Sequence, residues 1–233
     1  MNNSILQLKV KQRLNKLDSN DYDNLEAWQI IEAFNKAQIE WVRRQLHGAN
    51  QYREGDEGSK RRIDDLQLLL LQVPLAGTQT TLYYESTDLP TDYLEYKRVS
   101  TFAKTDCCQP ESMTVYLAEE ANVDELLDDE FRKPSYEWGE TFCTIMGNKI
   151  RIYTAGEFDV VNATLTYYRK PRYIQIANAI DPYTGNLSLA DVTCEFKDDI
   201  TELIIDEAVS ILAGDIESVN QFARGSQNAE RNN

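Results

Sequence analysis

Hydrophobic positions recur at helical spacing near both ends of the chain and alternate with polar ones in the middle. Residues 4–17 carry Leu6, Val10, Leu14 and Leu17 on one helical stripe, with Lys9, Lys11, Arg13 and Lys16 between them. The pattern predicts a short amphipathic helix with a basic outer face, stopped by the turn Asp18-Ser19-Asn20-Asp21. A longer helix is predicted from about Asn24 to Leu46. One of its stripes is Ile30, Phe34, Ala37 and Trp41; a second is Trp28, Ile31, Ile39, Val42 and Leu46. Together they span more than the roughly 100° of an ordinary surface helix. Such a helix is covered on two sides, either inside a bundle or by a neighbouring subunit. Gly48 to Gly58 reads as a polar, mobile link, and Ser59 as the cap of a third helix. That helix runs through Arg61, Arg62, Ile63, Leu66, Leu69, Leu70 and Val73 to Pro74. A last helix begins near Lys197 and carries Ile200, Leu203, Ile204, Ala208, Ile211, Leu212 and Ile216, with Gly214 weakening it. Residues 223–233 are polar and read as a flexible tail.

Between the helical parts the period changes to two. Thr78 to Tyr84 alternates as one strand, Glu85 to Pro90 reads as a turn, and Thr91 to Tyr96 as a helical turn or short strand. Val99–Lys104 and Met113–Leu117 read as further strands. The clearest alternation lies on either side of Thr154-Ala155-Gly156-Glu157: Lys149 to Tyr153 before it, Val161 to Tyr168 after it. This reads as an antiparallel hairpin spanning Gly147 to Arg172. The expected fold is α+β: N-terminal helices and a C-terminal helix form a helical bundle, with an inserted antiparallel β-sandwich or barrel-like domain. The expected divisions are 1–75 helical, 76–178 β, 179–222 the returning helix and 223–233 the tail.

Composition narrows the function. The chain has 233 residues, 42% hydrophobic and 27% charged, which supports a packed core. Its net charge of −15, from 39 acidic and 24 basic residues, repels nucleic-acid phosphates and disfavours specific DNA or RNA binding. It suits a protein that stays near DNA without adhering to it. No apolar run approaches the length of a membrane span, and Met1 to Leu6 lacks the pattern of a secretory signal. Cys107, Cys108, Cys143 and Cys194 match neither zinc-site spacing nor a disulfide framework, so reduced thiols are expected.

The candidate chemistry is sparse. His47 is the single histidine and has no partner histidine or cysteine nearby in sequence; it suits the C-terminal end of a helix dipole. Glu119 to Glu130 is the densest acidic run. Paired carboxylates there could do acid–base work or hold a divalent cation, but the run lacks calcium-loop spacing and reads as a solvated helix face. Arg169-Lys170-Pro171-Arg172 is a compact basic group suited to phosphate or to the acidic surface of a neighbour. Thirteen tyrosines fit a carbohydrate-binding face, a sandwich core or a protein interface alike. No phosphate loop, nucleophile elbow, dinucleotide fingerprint or HExxH is present, so neither an enzyme nor a cofactor or metal is expected.

The layout resembles the head-to-tail connectors, the adaptor or ring proteins, of short-tailed crAss-like phages. The residues that carry the resemblance are Leu89-Pro90-Thr91-Asp92-Tyr93-Leu94-Glu95-Tyr96, Arg132-Lys133-Pro134, Gly147 to Tyr153, Leu165 to Arg172, and the C-terminal helix around Asp206 to Glu217 with its tail. The resemblance implies a virion structural protein, assembled in the host cytoplasm. It implies a homo-oligomeric ring, typically twelve-fold, under the portal protein and in contact with other tail and ring proteins. DNA would pass through the channel during ejection, in transient, non-specific proximity to the ring. Trp28, Phe34, Trp41, Arg169, Lys170 and Arg172 are the candidate subunit-interface residues. Two other classes stay open: a non-catalytic carbohydrate- or protein-binding β-module with helical appendages, and an acid-pair or metal-dependent enzyme using Glu119 to Glu130.

Overall fold

The computed structural model describes residues 1–14, 25–47, 65–106 and 108–215. These form two compact units: residues up to Leu68 with those from Pro171 onward, and the continuous stretch Leu69–Lys170. The sequence-based borders at 75/76 and 178/179 lie further along the chain at both crossings.

The first unit contains α1 (Asn3–Arg13), α2 (Ala27–His47) and, after the second unit, α4 (Asp198–Asp215). The Asn2 side chain caps α1 by accepting from the Ser4 amide at 3.2 Å. Leu6, Val10 and Leu14 are buried, as their spacing requires; Leu17 lies outside the described residues. On α2 the stripe Ile30, Phe34, Ala37 and Trp41 is fully buried, and so are Ile31 and Val42 of the second stripe. Two polar residues, Asn35 and Gln38, are buried beside them. Asn35 accounts for this. Its Oδ1 accepts from the Ile174 amide at 2.9 Å and from Gln38 at 2.9 Å, while its Nδ2 donates to the Ile174 carbonyl at 3.3 Å. The side chain thereby satisfies both backbone groups of a residue outside any helix or strand. Ion pairs run along α4: Lys9 and Arg13 with Glu202, Arg13 with Asp206 at 2.7 Å, and Arg44 with Glu207 at 2.9 Å. α4 continues through Gly214, and the Ile200, Ile204, Ala208 and Leu212 positions are buried.

The expected third helix does not extend to Pro74: its described part ends by Leu66. Ser59 to Ile63 lie outside the described residues; among the described ones, Asp65–Leu66 are helical and a 3₁₀ turn covers Gln67–Leu69. Leu70–Leu75 is strand β1. A solid apolar run has no period of its own, and Pro74 is admitted because β1 pairs on one side alone.

The second unit is one eight-stranded sheet. β2 (Gly77–Gln79), β3 (Tyr83–Ser86), β4 (Tyr93–Lys104), β5 (Glu111–Leu117), β6 (Glu140–Met146), β7 (Lys149–Tyr153) and β8 (Asp159–Arg169) follow β1. Their order is β1-β8-β4-β5-β6-β7-β3-β2. β1 and β2 stand at opposite ends of that order, yet Ala76 alone separates them. Successive Cα atoms lie about 3.8 Å apart, so the two edges must approach each other and the sheet curls into a nearly closed barrel. The Ala76 carbonyl adds a bond from the Thr87 amide at 2.7 Å. Inside lie Leu75, Tyr84, Leu89, Val99, Cys143, Ile150, Ile152, Ala163, Leu165 and Tyr167.

The strands differ from the sequence reading in four respects. β7 and β8 are strands but not a hairpin: β7 pairs with β6 and β3, and β8 with β4 and β1. The tight turn at Gly147-Asn148, with Gly147 at φ 60°, joins β6 to β7 instead, so β7 has no free edge to offer. Thr78 to Tyr84 breaks into β2 and β3 around Thr80, whose amide and hydroxyl both donate to the Tyr83 carbonyl. β5 and β6 run parallel, because residues 118–139 carry the chain back as a long crossover. Thr91–Tyr96 and Val99–Lys104 merge into the single bulged strand β4.

Candidate interaction site

The crossover between β5 and β6 builds a concavity on the second unit. It begins as the 3₁₀ turn Glu120–Asn122, continues as α3 (Val123–Asp128) and returns through Phe131 and Pro134 to β6. Val123 is buried with Phe142 and Tyr153, and Leu126 and Leu127 pack against them. This small core lies on the outer side of β6, opposite the barrel interior filled by Cys143, and it explains why Thr141 to Thr144 are buried on both faces. The short helix is anchored by its apolar side and presents Asp124, Glu125 and Asp128 to solvent, as expected of a solvated face.

Between the crossover and the strands lies a groove of ≈ 650 Å³. Tyr116, Leu117, Leu126, Phe131 and Phe142 supply its apolar lining, and Glu119, Glu125, Glu140 and Arg132 its charges. Phe131 is 77% exposed and Tyr116 54%. The Tyr116 hydroxyl donates to Glu140 at 3.3 Å, and that carboxylate raises the phenol's pKa. Arg132 lies 3.7 Å from Asp129. Among the described residues, no cation lies within ion-pair distance of Glu119 or Glu125. The groove thus combines aromatic faces with carboxylates, a combination suited to a cationic or amphipathic side chain. Among the described residues no three His, Cys, Asp or Glu side chains are placed to hold a metal ion, and no helix is long and apolar enough to cross a membrane.

No protein-family model matches the chain, and no curated protein matches it.

The residues singled out in the sequence are distributed as follows. Phe34 and Trp41 are buried within their own unit, Trp41 edge-on to Phe196 with ring centroids 5.3 Å apart. Trp28 is half-buried and donates to Glu26 at 2.8 Å. Arg169 ends β8 and bonds the Lys170 carbonyl at 3.1 Å, and the Lys170 amide donates to Asp92 O at 2.7 Å, leaving its side chain exposed. Arg172 pairs with Glu195 at 3.1 Å. His47 lies in the last turn of α2 and is exposed. The tyrosines chiefly pack on other rings: Tyr93 on Tyr167, Tyr83 on Tyr153, Tyr173 on Tyr183. Burial, joined by the bond to Asp92, pushes the Tyr167 phenol up to about 12. Tyr116, 54% exposed, is in none of these ring pairs. Neither Phe131 nor Tyr116 was legible as a site residue, since they come from different elements and meet only after the crossover folds.

Proposed function

We propose that the chain is a virion structural protein: a ring-forming head-to-tail adaptor that links a portal protein to the tail and lets DNA pass. The observation that carries the reading is the set of large apolar side chains exposed on both units. Leu189 is 99% exposed, Phe131 77%, Trp138 65% and Leu187 63%. Contiguous exposed apolar surface marks association sites, and these side chains fall on two segments, the 175–192 loop and the β5–β6 crossover. In this reading α1, α2 and α4 form a helical bundle that braces the ring. The twelve-fold arrangement implied by the resemblance is the copy number to test. Trp28, Arg169, Lys170 and Arg172 then belong to the subunit interface, and the net charge of −15 keeps DNA sliding instead of bound. The protein then resides in the virion.

Imaging assembled particles, or the complex formed with a portal protein, tests this. A closed ring of this chain beneath the portal supports the adaptor reading; a particle lacking the chain overturns it. The groove lined by Tyr116 and Phe131 also favours a second reading, a non-catalytic binding β-module. That reading requires a stable monomer that binds a glycan or peptide at this groove.

A further inference from the structure

The groove beside α3 has a chemistry that selects its occupant. Its aromatic members, Tyr116 and Phe131, stand open to solvent, and the carboxylates Glu119, Glu125 and Glu140 surround them. Aromatic faces attract guanidinium and ammonium groups through the ring quadrupole, and carboxylates give those groups charge-assisted hydrogen bonds. Acidic peptides and phosphates are repelled. The three carboxylates outnumber the single lining cation, Arg132, which already lies beside Asp129.

The chain itself carries a matching surface. Lys97, Arg98, Arg169 and Lys170 lie toward the end of the barrel where β4 begins and β8 finishes: Arg98 is opposite Thr166 and Tyr93 opposite Arg169. Lys97, Arg98 and Lys170 are exposed. Among the described residues, neither Arg98 nor Lys170 has a carboxylate within ion-pair distance. On a protein of net charge −15, this strand end carries four basic residues against the two carboxylates Asp92 and Glu95, a local excess of positive charge. Their long aliphatic stems also suit an apolar lining.

We infer that the Tyr116–Phe131 groove is a self-association site, and that its occupant is the Arg98–Lys170 end of the barrel of a second copy. The inference rests on the reading of the chain as an assembling subunit and names the two surfaces that meet. Both halves of the contact are on every copy, so pairs and larger closed assemblies are both available to it.

The test uses the full chain and three charge-reversed forms: E119K/E125K, R98E/K170E, and all four changes together. Mass is followed by sedimentation velocity against concentration and salt, with a thermal melt to establish that each form is folded. The wild type associates, and raising the salt weakens it because the pairs are screened. Each two-site reversal weakens association about tenfold or more, and the fourfold reversal restores it by exchanging the signs. A wild type that stays monomeric at low salt and high concentration overturns the inference, as does equal association by all four forms. Loss with E119K/E125K but not with R98E/K170E assigns the groove to another cationic partner and overturns this occupant. The adaptor reading fails separately: an assembly that stops at two chains and never joins a portal supports the contact while removing the ring. Portal-bound rings that form with either two-site reversal do the opposite.

Discussion

Replacing Asn35 by alanine removes the side chain that bonds both backbone groups of Ile174. The change leaves three partners without their bonds at a fully buried position: the Ile174 amide, the Ile174 carbonyl and the Gln38 side-chain amide. An orphaned buried polar group costs about 1–3 kcal/mol. Some of the three will find weaker substitutes, so the expected loss is about 4 kcal/mol. At about 2–4 °C per kcal/mol for a chain of this size, the transition of the first unit falls by about 8–16 °C. The assay is urea unfolding followed by tryptophan fluorescence in a Trp138→Phe background. Trp28 and Trp41 then report, and both are on α2. Asn35→Asp is the diagnostic companion. It keeps both accepting roles but loses the donor to Ile174 O and buries a carboxylate against that carbonyl. Burial raises such a carboxyl's folded pKa, so this variant gains stability as the pH falls and the group protonates. The exposed neighbour change Lys36→Ala sets the baseline, within about 0.5 kcal/mol of wild type. An Asn35→Ala loss below 1 kcal/mol, indistinguishable from that baseline, refutes the reasoning.

Three further outcomes are expected. A Cβ at Gly77 would meet Glu85 O at 2.2 Å; that contact is backbone, so Gly77→Ala must part β2 from β3 and costs about 1–3 kcal/mol of barrel stability in denaturant titration. Burial pushes the Cys143 thiol up to about 11 and raises that of Cys194; mass-mapped alkylation near pH 8 therefore labels exposed Cys108 and spares both until the chain unfolds. For Glu202, burial raises the carboxyl's pKa, but hydrogen bonds and charge from Lys9 and Arg13 outweigh it and leave the value lowered. A lowered folded pKa gives stability that is full above the unfolded value and is lost as pH falls through the folded one. Thermal melts across that acid range will show the loss, and Glu202→Gln removes its part of the slope.

The helices were legible because burial of one stripe writes a period into sequence. Leu6, Val10 and Leu14 on α1, and Ile200, Ile204, Ala208 and Leu212 on α4, are where their spacing put them. Strands were legible as strands and not as pairs. Lys149 to Tyr153 alternates whichever neighbour it bonds, so nothing in it distinguishes β8 from the actual partners β6 and β3. Leu70–Leu75 misled because Leu68 to Leu71 is uniformly apolar and the proline read as a helix stop. Asn35 was invisible for another reason: its partner is a backbone group far along the chain, and local pattern carries no trace of it. The acidic run was legible as a solvated face, but the groove beside it depends on Tyr116 and Phe131 meeting across a crossover.

The position of Ala76 has a consequence for the order of events during synthesis. β1 is the first strand to leave the ribosome and pairs with β8, the last, so the barrel cannot close while the chain is being extended through it. The loop-closure entropy for that pairing falls due in one late step. The other unit waits longer still. Its early helices have Leu6, Val10, Ile30 and Phe34 ready to bury, yet α4 is made only after the whole barrel sequence has emerged. A nascent chain of this protein therefore carries unsheltered apolar stripes until nearly its last described helix. Synonymous changes that slow translation between β8 and α4 will prolong that exposure more than the same delay placed anywhere before β1.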